Sequence, residues 1–233
     1  MASFFPTPYP DELLYSLIAR FHVRSGNLSP KATIEELFSS RTASSIADMP
    51  CNIDALIKAA PAFIKLNAEQ LIQDNTLYPY YMVFQTNAKC NEIMQAMRSS
   101  YGGDIHTKVG IMASTIKSFE NLRFCHKCIE TDLKVYGEYY WHRIHQAPGV
   151  MVCPEHGVII QDSTVNLLKT NKHEFIAADN ANCINRLAAN YSSIDIAKFY
   201  ELAKDTQWLF NNYKKVRYSS TFTNGLRDSY LLS

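Results

Sequence analysis

Charge of one sign is what this 233-residue sequence has least of: 23 Lys and Arg stand against 22 Asp and Glu, a formal net charge of +1. No global field advertises a nucleic-acid partner, so any contact with DNA has to come from a local patch. Long apolar runs are missing too, and no stretch approaches the roughly 20 apolar residues of a membrane span. The opening Met1-Ala-Ser-Phe-Phe-Pro6 lacks the basic region and apolar run of a signal peptide. There is no Gly-rich phosphate loop, nucleophile elbow or paired Cys-His nucleophile. His-x-Glu, which zinc deaminases need for a ligand and a proton shuttle, is also absent, and that chemistry is excluded. No internal repeat or low-complexity segment occurs.

What is present is enough chain for one large domain or two small ones, with 14 Tyr and 12 Phe to fill cores and six Cys. Cysteines in an intracellular-looking chain argue for metal before disulfides. Cys51, Cys90 and Cys183 are isolated and read as small buried apolar residues. The other three are not isolated. Cys125-His-Lys-Cys128 and Cys153-Pro-Glu-His156 are two ligand pairs, each with a two-residue gap, separated by 24 residues. Each spacing puts both side chains of one tight turn on a single ion. Three thiolates and one imidazole fill a tetrahedron and leave no position for substrate or activated water, so the expected cofactor is one structural Zn²⁺.

Along the chain, Leu13, Leu14, Leu17, Ile18 and Phe21 recur at helical spacing and Gly26 ends the run. Ser29-Pro30 caps and opens a helix burying Ile34, Leu37 and Phe38. Asn52 and Asn67 cap two more short helices, Tyr78-Pro-Tyr-Tyr81 breaks the pattern, and a helix around Ile93, Met94 and Met97 stops before Gly102. Thr131 to His145 reads as helix, interrupted or bent near Gly137. Val150–Val152 and Gly157–Ile160 read as strands flanking the second ligand pair. Ser193 caps a last helix bearing Ile196, Phe199, Tyr200, Ala203 and Phe210. The end, Tyr230-Leu-Leu-Ser233, has no closing element, which suggests a chain cut from a longer protein.

Other clusters are weaker signals. His142 and His145, three apart on the expected helix, could mark a nuclease beside the zinc site, but no Asn/His or Asp pair stands at a telling distance to hold magnesium. The alternative makes His145 a core histidine or one that supports the metal ligands. Near the zinc site Arg123, Lys127, Lys134 and Arg143 are offset by Glu130, Asp132 and Glu138. Lys214, Lys215 and Arg217, interleaved with Tyr213 and Tyr218, form a better nucleic-acid candidate, continued by Arg227 against Asp228.

Phe5-Pro-Thr-Pro-Tyr-Pro-Asp-Glu-Leu-Leu-Tyr-Ser-Leu-Ile-Ala-Arg20 resembles the opening of the TnsD/TniQ transposon target-selector family. Phe124-Cys-His-Lys-Cys128, Tyr136-Gly-Glu-Tyr-Tyr-Trp-His-Arg143 and His145-Gln-x-Pro-Gly-Val-x-Val-Cys-Pro-Glu-His-Gly157 resemble its central signature. The resemblance implies a bacterial, cytoplasmic, nucleoid-associated adaptor without enzymatic activity. It implies zinc ligands at Cys125, Cys128, Cys153 and His156, and recruitment of the AAA+ ATPase regulator TnsC. It also implies either attachment-site DNA (TnsD-like) or an RNA-guided CRISPR ribonucleoprotein (TniQ-like) as the targeting partner. Tyr9, Leu13, Tyr15 and Arg20 are expected in or near the ATPase-facing surface, and Arg123, Lys127, Arg143, Lys214, Lys215 and Arg217 toward DNA. The resemblance implies longer full-length members with DNA-reading C-terminal helical domains, so this chain is expected to be an N-terminal fragment. The expected fold is mainly α with a small β zinc ribbon. Its parts are an N-terminal helix-turn-helix-like bundle (1–108), a CCCH zinc ribbon (109–165) and a C-terminal helical segment (166–233).

Overall fold

Leu13 to Phe21 is apolar or aromatic except at Ser16 and Arg20, and the structure buries the whole stretch. A computed structural model describes residues 2–100, 102, 104–111, 118–168, 171–185 and 192–218. In it α1 (Leu14–Ser25) is buried from Leu14 through Phe21, Ser16 and Arg20 included. A helix segment buried on all faces is central, and its Leu14, Leu17, Ile18 and Phe21 lie in the main core. Gly26, at φ +72°, ends it in the left-handed conformation that glycine adopts without strain.

The short helices follow their start signals. In α2 (Pro30–Phe38) the Ser29 hydroxyl accepts the Ala32 amide and proline takes the first turn. The α4 helix (Ala68–Asn75) is capped by Asn67 through the Gln70 amide. Asn52 precedes α3 (Ile53–Ala59) differently: its backbone is left-handed and its side chain makes no capping bond. Tyr78-Pro-Tyr-Tyr81 is itself a short helix, α5 (Tyr78–Met82), because proline is tolerated in a first turn. Next come α6 (Asn87–Arg98) and α7 (Ile105–Val109).

The centre differs more from expectation. Helix α8 spans His126–Tyr136, starting inside the first ligand pair and ending at Gly137 with φ +76°. Glu138 to Arg143 is no helix; it runs beside the start of α1, and only Ile144–Gln146 forms a 3₁₀ turn. Around the second ligand pair, Val152 and Ile159 make an isolated antiparallel bridge instead of two strands. The regular sheet pairs β1 (Asn121–Phe124) with β2 (Gln161–Asn166), antiparallel, with an irregularity between Asn121 and Arg123. Helix α9 (Ser193–Tyr218) closes this side. Its start is capped by the Ser192 hydroxyl, which accepts the Asp195 amide; the side chain of Ser193, the expected cap, lies outside the described residues. The fold is thus mainly helical with one small two-stranded sheet.

Glu138–Arg143 docks through backbone and side chain together. Leu13 N–H donates to Trp141 O at 2.9 Å and Arg143 N–H to Asp11 O at 2.8 Å. Trp141 N–H donates to Ser16 Oγ at 3.0 Å and its indole to Ile176 O at 2.8 Å. Tyr15 likewise binds residues 174–176, its hydroxyl donating to Glu174 O and accepting the Ile176 amide. The main core draws on all these parts, from Phe5 and Leu17 to Trp141, Phe175 and Tyr213. Beside it Glu12, fully buried, pairs with Arg20 at 2.8 Å, while Arg20 also reaches Glu138 at 2.8 Å.

Trp141→Ala should cost about 3–5 kcal/mol, as for other buried large-to-small changes, read as a lower urea midpoint with unchanged slope. Burial pushes the Glu12 carboxyl up to about 7, with Arg20 only partly opposing it. A carboxyl raised on folding contributes stability below its unfolded pKa, and that contribution is lost as pH rises through the folded value. Stability measured by urea unfolding should therefore fall from pH 5 to pH 8, by at most roughly 3 kcal/mol from this group. Glu12→Gln should flatten that slope.

Candidate metal centre

Two turns bring the ligand pairs together. β1 delivers Cys125 in extended conformation at the N-cap of α8, so Cys128 lies in the first helical turn. A helix start presents unpaired amides and a positive dipole end, which favour thiolate. At the second turn Cys153 N–H donates to Val158 O and Gly157 N–H to Cys153 O, both at 2.8 Å. Gly157, at φ +64°, lets the chain reverse there. The sulfurs of Cys125, Cys128 and Cys153 and Nδ1 of His156 then lie within 4.8 Å of one another. Cys128 and Cys153 sulfurs are 3.6 Å apart, and His156 Nδ1 stands 3.7, 3.3 and 3.6 Å from Cys125, Cys128 and Cys153.

A tetrahedral ion with bonds of about 2.3 Å to sulfur and about 2.0–2.1 Å to nitrogen has edges of roughly 3.5–3.8 Å. The 3.6 and 3.7 Å separations match those edges, and the 3.3 Å one between Cys128 and His156 is slightly shorter. The cluster can therefore hold one metal ion, with Cys125, Cys128, Cys153 and His156 as donors, and a bound ion would serve as a structural cross-link. Electrostatics support the fit. Hydrogen bonds from Cys128 and Cys153 hold the Cys125 thiol far below the usual thiol range. Bonding to Cys125 raises the Cys128 thiol, and pushes Cys153 up to about 12. Alone, the three sulfurs accommodate one negative charge among them; a divalent cation removes the obstacle to ionising the rest. An apolar wall of Ile144, Val150, Ile160, Ala203 and Phe210 surrounds the cluster and limits water access.

The wall is held by residues that sequence reasoning assigned elsewhere. Arg123 is 2% exposed. Its guanidinium donates to Val150 O at 2.6 Å, lies over the Phe119 ring and reaches Asp162 at 3.6 Å. Arg143 is 5% exposed, pairs with Asp11 at 3.0 Å, donates to Gln73 O at 2.7 Å and lies over Phe210. Neither guanidinium faces solvent, so the expectation that both point toward DNA is corrected: each is spent on internal carbonyls and carboxylates. Leu13, Tyr15 and Arg20 are corrected likewise. All three are buried in or beside the core, and Tyr9 is half-buried, stacked on Tyr136 and donating to Glu138. Lys127 and Lys215 are exposed; exposed Lys214 lies 3.5 Å from Asp74. Tyr213 is buried edge-on against Tyr78 and offers no stacking platform. The side chains of Arg217 and Tyr218, and all of Arg227 and Asp228, lie outside the described residues.

The sequence reading missed Asp11, Glu12, Glu138 and Gln146. Gln146 pairs with β1 as a strand would: its Oε1 accepts the Arg123 amide at 3.0 Å and its Nε2 donates to Arg123 O at 2.9 Å. This ties the segment before the second turn to the strand before the first. A polar residue just ahead of Ala147-Pro-Gly-Val150 was the available signal. The histidine pair does not share an α-helix, yet the rings of His142 and His145 lie 4.9 Å apart, with His142 Nε2 2.9 Å from Asp132.

Purified chain should carry one divalent ion, measured by elemental analysis. Cys128→Ser should lower that content several-fold and make α8 and the 153–157 turn more open to proteolysis, whereas Lys127→Ala should leave both unchanged.

Among known proteins, the sequence model of the TniQ family matches residues 3–159. The transposon Tn7 transposition protein TnsD of Escherichia coli is 32% identical over 156 residues, covering 67% of this chain and 31% of that protein. The chain therefore spans about a third of that relative's length. The matched region includes both ligand pairs and the Phe5-to-Arg20 segment that packs on Glu138–Arg143. The chain belongs to the TniQ family.

Proposed function

We propose that this chain is a non-enzymatic target-site selector for DNA transposition, linking attachment-site DNA to the AAA+ ATPase regulator TnsC. The observation that carries it is the likeness to TnsD over 156 residues together with family membership across residues 3–159. The metal is zinc in a structural role: three sulfurs and one imidazole suit it and fill its coordination. On this reading residues 109–165 act as the zinc-ribbon part and the N-terminal helices as a helix-turn-helix-like unit. The boundaries near 108 and 165 separate these parts from the C-terminal segment. Lys127, Lys214, Lys215 and Arg217 are the remaining basic candidates for phosphate contact, and Tyr9 with its neighbours a candidate for the ATPase. The site of action is cytoplasmic, at the nucleoid; among the described residues no helix is long and apolar enough to cross a membrane.

A second reading, a TniQ-like adaptor on an RNA-guided CRISPR complex, draws support from the near-neutral charge and the inward-facing Arg123 and Arg143. Neutral surfaces suit protein partners better than phosphate backbones.

Insertion mapping in cells carrying the cognate transposon tests both readings. Insertions should cluster at one site or target when the full-length protein is present and lose that clustering when its gene is deleted. Clustering that follows a supplied guide RNA would select the second reading. Clustering unaffected by the deletion would refute both.

A further inference from the structure

The metal centre leaves one charge to be accounted for. Three thiolates outweigh a divalent cation by one negative charge, and the site is walled by apolar side chains. Such charge is stabilised by N–H groups aimed at sulfur. The Cys125 sulfur accepts the Cys128 backbone amide, and the Cys153 sulfur accepts the His156 backbone amide. These are the donors a two-residue-gap turn supplies to its first ligand. Cys128, second in its turn, has instead the imidazole of His145, whose Nε2 lies 3.8 Å from its sulfur. His145 is 1% exposed, and its other nitrogen, Nδ1, is buried without a hydrogen-bond partner. His145 is not among the four mutually close donors, so it stands outside the coordination sphere.

The unpartnered Nδ1 identifies the tautomer. A buried N–H without an acceptor is costly, so the proton belongs on Nε2, where the thiolate can accept it. The ring is held in place from behind. Its tilted neighbour His142 is fixed by Asp132 at 2.9 Å and stacks on Tyr140 at 4.2 Å between ring centres. The His145 carbonyl lies 3.5 Å from the Arg123 guanidinium. We propose that His145 is a positioning residue of the metal centre, donating its Nε2–H to the Cys128 thiolate and supplying the N–H that the turn geometry denies this ligand. This rests on the reading of the cluster as a metal site.

The test uses the full chain loaded with zinc, and separately with cobalt(II), comparing His145→Phe with His145→Gln, which keeps an N–H. His145→Phe should release metal to a competing chelator about 10–100-fold more readily and move the thiolate-to-cobalt charge-transfer band to longer wavelength. His145→Gln should restore much of both. A Phe variant matching the parent in chelator resistance and cobalt spectrum overturns the proposal. If the variants fail to fold, nitrogen NMR of the parent zinc protein decides. A proton on Nε2 with an unprotonated Nδ1 supports the role; the opposite tautomer or an imidazolium overturns it. A parent chain that takes up neither zinc nor cobalt refutes the metal reading itself, a failure distinct from the others.

Discussion

Arg143 carries a permanent charge into a place water barely reaches, and the surrounding structure is what that charge requires. Its guanidinium takes the Asp11 carboxylate from the N-terminal segment, the Gln73 carbonyl from α4 and the Phe210 ring from α9. Removing one partner of a buried pair leaves an uncompensated charge, which costs far more than the pair contributes. Three elements distant in sequence are therefore held to one side chain. One residue further on, the 3₁₀ turn begins that leads through Gln146 to the second ligand pair.

The two sequence blocks, Phe5 to Arg20 and Tyr136 to Gly157, thus meet in space for a physical reason. Tyr9, Asp11 and Arg20 from the first are the charge partners and ring contacts of Tyr136, Glu138 and Arg143 from the second, and Glu12 pairs with Arg20 within the first. The metal centre closes the other end of the same strap. A metal cross-link at that site, joined to a buried ion network, would add to the main core in holding the surfaces of this region at fixed spacing. The arginines Arg20, Arg123 and Arg143 are consumed internally, while Lys127 and Lys134 stay exposed.

The sequence revealed what depends on local rules. Ser29, Asn67 and Gly26 act as caps because capping needs only the neighbouring turn, and the four metal donors were readable because their spacing is itself the chemistry. Charged residues were misread for the opposite reason. Arg20, Arg123 and Arg143 look like surface cations until their partners, 8 to 132 positions away, are brought beside them by the fold. Thr131 to His145 looked helical, but Gly137 ends the helix and the backbone of Trp141 and Arg143 finds Leu13 and Asp11 instead. Tertiary pairing there outweighs local propensity. Gln146 imitating a strand partner left only one trace in the sequence, a polar residue just ahead of Ala147-Pro-Gly-Val150.

The central claim is that metal centre and ion network form one mechanical unit running through residues 138–146. Native-state hydrogen exchange of the full chain, metal-loaded and metal-stripped, tests it most directly. Stripping should abolish protection at the Cys153 and Gly157 amides and also lower it at the Arg143 and Leu13 amides, which donate to Asp11 and Trp141. Protection at Arg143 and Leu13 that stays unchanged while the metal site opens would contradict the account, because the two would then be independent.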